Sequence, residues 1–292
     1  MLGDDDMIDE YLLQELVAFQ QTGTLAATAH QLNVTQPTIT RGMQKLENDL
    51  GVKLFKRYPN RIELTQTGQL AAIEANKLLN DSQLFVKKIR NFDLRQRNYR
   101  IGSSIPGPLL AMQNQEFSEP VSLETQLQQT DHISELLNNN EFSIIFSNQE
   151  LQTDEIESLY VGTESLAVNI DKFMYQANQS TVTFKELRGL SFVVLGDIGP
   201  WRQVIQDEIP DATFMYQARQ NAMKQLTTYS NFPYFTTNIT NTDLANDETE
   251  NDRIMIPISD SAAHMPIFAN YLKTNKRSLR SLINEIRSIL PN

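Results

Sequence analysis

The sequence predicts an α+β protein of several modules: a winged helix-turn-helix at the N-terminus, one long helix, and a C-terminal α/β body. Three observations predict it. Two short helical patterns flank a tight turn within residues 24–50. A heptad seam then runs without proline from Thr65 to about Phe92. Beyond residue 98, short alternating apolar runs interchange with helical stretches. A chain of 292 residues has room for two or three domains.

The first helix is read from Leu12, Leu13, Leu16, Val17 and Phe19, which share one broad apolar face, and Gly23 closes it. Thr24 is a good N-cap for a second helix over Leu25–Gln31. Leu32-Asn33-Val34 turns the chain. Thr35 caps the third helix, and Pro37 lies in its first turn, where a missing N–H costs nothing. Ile39, Met43, Leu46 and Leu50 step by four, three and four, and are expected to form one buried stripe. Two such helices joined by a short turn make the helix-turn-helix arrangement. Lys53–Arg57 and Arg61–Thr65, joined at Pro59-Asn60, read as a β-hairpin wing.

In the long helix, Ala71, Ala75, Leu78, Ser82, Phe85, Ile89 and Phe92 repeat at alternating steps of four and three. At ~1.5 Å per residue this helix is about 40 Å long, and its single stripe is expected to pair with a second copy of the chain. In the body, strands are expected at Tyr99–Ser103, Val121–Leu127, Phe142–Phe146, Ser191–Leu195, Ala212–Tyr216, Tyr234–Thr237 and Ile254–Ile258. Helices are expected at Asp131–Leu137, Trp201–Glu208, Arg219–Thr228 and, closing the chain, around Leu279, Leu282, Ile283, Ile286 and Leu290. Such alternation predicts a mainly parallel sheet. Asn138–Asn140 and Asp243–Asp252 read as exposed turns.

Composition excludes several classes. Hydrophobic residues make up 40 % and charged residues 21 %, as in a packed globular protein. There is no cysteine, hence no disulfide scaffold, thiol nucleophile or thiolate metal site. Mean hydropathy is -0.39 and no run is apolar enough to span a bilayer. The acidic opening Met1–Asp6 is not read as a secretory signal, and the expected location is the cytoplasm. Net charge is -11, which taken whole argues against nucleic acid. The distribution is uneven: residues 1–97 hold 12 basic and 12 acidic residues, so the whole excess lies beyond them. Within 35–65, Arg41, Lys45, Lys53, Lys56, Arg57 and Arg61 outnumber Glu47, Asp49 and Glu63. Two modules with different partners are expected.

The stretch from Thr24 to Arg41, followed by Leu46-Glu47, Leu50-Gly51, Leu54-Phe55, Arg57 and Leu64–Gly68, resembles the N-terminal domain of the LysR-type transcriptional regulators. The resemblance implies a DNA-binding domain over 1–65, a linker and dimerisation helix over 66–97, and an effector domain over 98–292. That effector domain would have two α/β lobes similar to periplasmic binding proteins, lobe I at about 98–166 and 264–292 and lobe II at about 167–263. It also implies double-stranded DNA and a small-molecule effector as partners, no cofactor or metal, and a homodimer or a tetramer built from dimers.

Burying the stripe of the third helix turns Thr38, Arg41, Gly42 and Lys45 outward. Gln36, Thr38 and Arg41 are expected at base edges in the major groove. Thr40 and Lys45 are expected at phosphates, Arg61 at the wing tip reaches a minor groove or phosphate, and Thr35, Pro37 and Arg57 complete the expected DNA-binding set. Gly42 departs from the family, whose members commonly carry a long polar side chain there. Effector contacts implied by the resemblance are Ser103, Ser104, Thr130, Trp201, Thr237 and Asn238. Their hydroxyls and nearby N–H groups favour a small anion such as a carboxylate. Ser143 stands where relatives often carry Asp, and Phe232–Asn238 replaces a glycine-rich segment. The rival reading is an enzyme or small-molecule binding protein with an appended winged helix. The chain holds no G-x-S-x-G, no Walker A and no G-x-G-x-x-G, and His30, His132 and His264 are widely scattered.

Overall fold

The computed structural model describes residues 7–59, 61–240 and 253–291. The opening residues Met1–Asp6, Asn60 of the wing turn and the expected exposed turn at Asp243–Asp252 lie outside the described residues. The chain divides into two compact units, up to Arg90 and from Asn91 onward.

In the first unit, α1 (Glu10–Thr22), α2 (Leu25–Gln31) and α3 (Gln36–Leu50) form the three-helix head. Local chemistry sets their ends. Gly23 and Gly51 follow α1 and α3 in the left-handed region, at φ 73° and 67°. Thr24 Oγ1 accepts the Ala27 amide at 3.2 Å, and Thr35 Oγ1 accepts that of Thr38 at 3.4 Å. Asn33, at φ 54°, makes the turn between α2 and α3. Leu12, Leu16, Ile39, Met43 and Leu46 pack into one core with Leu54 and Phe55 of the wing. Leu50 leaves the expected stripe: it is the last residue of α3 and is exposed. The wing is β1 (Phe55–Tyr58) antiparallel to β2 (Arg61–Leu64), with Phe55 paired to Leu64.

The long helix α4 spans Gln66–Arg95, and the division between the units falls within it. Its Ala72, Ala75 and Leu79 belong to the core of the head. The predicted seam therefore splits. Ala75 is buried in the protomer, whereas Leu78, Phe85, Ile89 and Phe92 stand exposed.

Among the described residues the second unit has nine strands: β3 (Tyr99–Ser103), β4 (Val121–Leu123), β5 (Ile144–Ser147), β6 (Ile156–Asp171), β7 (Ser191–Leu195), β8 (Thr213–Gln217), β9 (Tyr234–Thr237), β10 (Arg253–Pro257) and β11 (His264–Leu272). Their order is β4-β3-β5-β11-β6-β9-β7-β8, with β10 also on β6. The 16-residue β6 carries both halves. Residues 156–165 pair with β11, and residues 166–171 pair with β9 and β10. The sheet is mixed, which corrects the expected mainly parallel arrangement. Strand β3 is parallel to β4 and β5, and β7 to β8 and β9, but every pairing of β6 and β11 is antiparallel. The second strand is also shorter than expected, since Thr125 and Leu127 fall outside β4.

Helices α5 (Pro106–Met112), α6 (Ile133–Asn138), α7 (Trp201–Glu208), α8 (Gln220–Tyr229) and α9 (Lys276–Ile289) complete the unit. Helix α9 buries Leu279, Leu282, Ile283 and Ile286, one stripe of an otherwise polar helix, in the main core. Among the described residues no helix is long and apolar enough to cross a membrane.

Candidate nucleic-acid interface and ligand cleft

The first turns of α3 present Gln36, Pro37, Thr38 and Arg41 to solvent, with the cap residue Thr35 beside them. Thr35 and Thr38 share a hydrogen bond between hydroxyls at 2.9 Å, and the Thr40 hydroxyl donates back to the Gln36 carbonyl at 3.1 Å. Arg41 makes no hydrogen bond or ion pair within the protein among the described residues. The other predicted cations are engaged. Lys45 pairs with Asp9, whose hydrogen bond holds the ammonium above its usual range. Arg57 lies 3.4 Å from Glu47, and Arg61 lies 3.3 Å from Glu63 and over the Tyr58 ring. All three keep exposed side chains. Such surface pairs are worth ~0–1 kcal/mol and exchange readily for phosphate.

Gly42 does not face outward, which corrects the expectation from helix phase. It is buried against Glu15 of α1: a Cβ on Gly42 would lie 1.7 Å from Glu15 Oε2. Glu15 is itself buried, and its Oε2 has no hydrogen-bond partner. Burial raises this carboxyl to about 7. Glycine here is a space requirement of the α1–α3 contact, so the missing side chain costs the groove-facing surface nothing.

In the second unit, a cavity of about 800 Å³ opens between the halves of the sheet. Trp201 and Thr237 line it, as expected. Four other expected contacts do not. Ser103 and Ser104 are buried and donate their hydroxyls to the carbonyls of Ile105 and Phe146. Thr130 opens a 3₁₀ turn away from the lining. Asn238 braces the main chain, accepting the Ser165 amide at 2.9 Å and donating to the Thr163 carbonyl at 3.0 Å. Ser103, Ser104 and Asn238 spend their polar atoms on the backbone, the commonest use of such side chains.

The described lining offers the expected anion no cationic side chain. Among the described lining residues there is no Lys, Arg or His, while Glu124, Glu164 and Asp197 are all present. Glu124 is paired with Arg100, which holds its carboxyl below the usual range. Glu164, on β6, is 1 % exposed, and burial pushes its carboxyl up against the weaker pull of Thr237 and Trp201. That pull is weak because Oε2 and the Trp201 Nε1 stand outside good hydrogen-bond geometry.

Residues 11–69 match the family described as bacterial regulatory helix-turn-helix protein, lysR family. The match lies on the helix-turn-helix head, which is similar to the heads of lysR-family regulators. It is 39 % identical over 72 residues to the HTH-type transcriptional regulator ClcR of Pseudomonas putida, covering 25 % of this chain and 24 % of ClcR. It is 26 % identical over 171 residues to HdfR of Escherichia coli, covering 55 % of this chain and 60 % of HdfR. The chain thus matches less than two thirds of the length of either relative. In fold the likeness is wider: Vibrio fischeri DarR, solved in complex with DNA, superposes with a TM-score of 0.57 at 17 % identity, covering 96 % of this chain and 99 % of that one.

Two buried acids of the chain escape notice in the sequence, and so does the role of a third. Glu15 has a readable signal: with Leu12, Leu16 and Phe19 it falls at i, i+3, i+4 and i+7, inside the buried stripe. Glu164 alternates in phase with Leu166, Val168 and Ile170, a signal that needs β6 to be recognised first. Glu47 is legible as part of the family motif, but its role is not. Its Oε1 accepts the amides of Leu54 and Phe55 at 2.9 and 3.1 Å, tying the end of α3 to the wing.

Proposed function

We propose that the chain is a sequence-specific DNA-binding transcription regulator of LysR type, acting in the cytoplasm, whose DNA binding answers to a small molecule held in the cleft of the body. The carrying observation is the first two turns of α3, which expose Gln36, Thr38 and an unpaired Arg41 on a helix-turn-helix head that matches the family over residues 11–69. Thr35, Pro37, Thr40, Lys45, Arg57 and Arg61 surround them as backbone contacts. Residues 1–65 read as the DNA-binding domain, 66–97 as the linker and 98–292 as the effector domain. No catalytic role is assigned.

Base contacts give selectivity and phosphate contacts give salt-dependent affinity. Arg41→Ala is therefore expected to weaken binding to the preferred site by roughly tenfold to a hundredfold, the worth of one bidentate base contact, with nonspecific binding little changed. Fluorescence anisotropy on the preferred duplex and on a scrambled one checks this. Equal loss on both duplexes would make Arg41 a phosphate contact only.

The exposed row Leu78, Phe85, Ile89 and Phe92 on α4 supports a homodimer through this helix. Replacing Phe85 and Ile89 together by aspartate is expected to yield monomers in sedimentation equilibrium and to weaken binding to a two-half-site duplex. A dimer that persists in this double variant would place the interface elsewhere.

A further inference from the structure

The cleft carries a statement about its ligand that rests on the effector reading above. Three observations converge. The described lining has no cationic side chain, although it includes three carboxylic acids. Glu164 lies at its wall, 1 % exposed, with Oε2 outside good hydrogen-bond geometry and only Thr237 and Trp201 as weak donors to its carboxyl. The fold also keeps room for this carboxyl, since a Cβ on Gly107 of α5 would lie 2.4 Å from the same Oε2. A buried polar atom left unpaired is a standing cost that a well-matched ligand donor removes. The remaining wall is mostly apolar, with Leu123, Leu127, Leu166, Val194 and Ile198.

We propose that the cleft binds a ligand with an amine nitrogen on an apolar body, its ammonium group seated on the Glu164 carboxylate. The ammonium supplies charge and donors where the described wall has an acceptor and no cation. The apolar body takes the aliphatic wall. The Trp201 indole closes the site beside Glu164. Glu124 adds little, since Arg100 already neutralises it.

The protein carries its own probe, because Trp201 is the only tryptophan in the chain. The full chain would be titrated at neutral pH with phenethylamine, cyclohexylamine and hexylamine, and with phenylpropionate, cyclohexanecarboxylate and hexanoate. Trp201 emission and the melting temperature would both be followed. The amines are expected to bind saturably and stabilise the protein, and the acids are expected not to. Glu164→Gln, which keeps the shape and removes the charge, should weaken amine binding roughly tenfold or more. The amine-against-acid comparison on the unmodified protein decides the matter even if this variant folds poorly. Binding of the acids in place of the amines would overturn the inference and leave the effector cleft standing. Silence of both series would overturn both. Amine binding unchanged in a folded Glu164→Gln protein would overturn the Glu164 seat.

Discussion

Raising the pH from about 5 to about 8 is expected to destabilise the helix-turn-helix head through Glu15, by up to about 3 kcal/mol. The sign follows from burial. The folded carboxyl titrates at about 7, above its ordinary value of 4.5. Between those values the folded head holds a proton that the unfolded chain has released, so stability falls across the window and levels off above it. No described partner compensates the charged form, since Oε2 has no hydrogen bond and desolvation is the one cause of the shift. Glu15→Gln should flatten this dependence and stabilise the head above neutrality. Hydrogen exchange of α1 and α3 amides, corrected for intrinsic rates, measures both. Gly42 belongs to the same contact. Gly42→Ala alone should destabilise, because its Cβ would collide with the Glu15 carboxyl. In a Glu15→Ala background the same change should gain up to ~1 kcal/mol from helix propensity. Additive effects would show that the two residues do not touch.

Glu47→Ala is expected to cost the head about 3 kcal/mol. Two buried amides, those of Leu54 and Phe55, lose their acceptor, and each unpaired buried donor costs ~1–3 kcal/mol. Arg57 and Lys53, 3.4 and 3.7 Å from Oε2, lose a weaker partner. Glu47→Gln keeps the accepting oxygen and should lose only about 1 kcal/mol. Urea unfolding of both variants beside the unmodified chain checks the ranking. A near-neutral Glu47→Ala would mean that water replaces the carboxylate at the wing.

The head was legible in the sequence because its signals are local. Thr24, Thr35, Gly23 and Gly51 act within one turn of the helix ends that they set. The body was legible where apolar runs were short and clean, as at β7 and α7, both of which lie where expected. It failed at β6 and β11. Half of the early part of β6 is polar, and β11 contains Pro266, so neither shows simple alternation. Their partners lie about a hundred residues apart, as with Ser165 and His264, and no local rule brings them together. The cleft suffered from the same cause. Hydroxyls at strand ends looked like ligand contacts, but Ser103 and Ser104 bond the main chain next to them. Glu164 acquires its place only when β6 crosses between the halves of the sheet.

The central claim is sequence-specific DNA recognition by α3. Its most direct measurement is selection of duplexes from a random pool by the full-length protein, repeated with Arg41→Ala. Two similar half-sites in inverted orientation, about one or more helical turns apart, are expected to be enriched, as two heads of a dimer require. In the variant the enriched bases facing Arg41 should lose their preference. Retention of DNA that vanishes with added salt and enriches no motif would contradict the account.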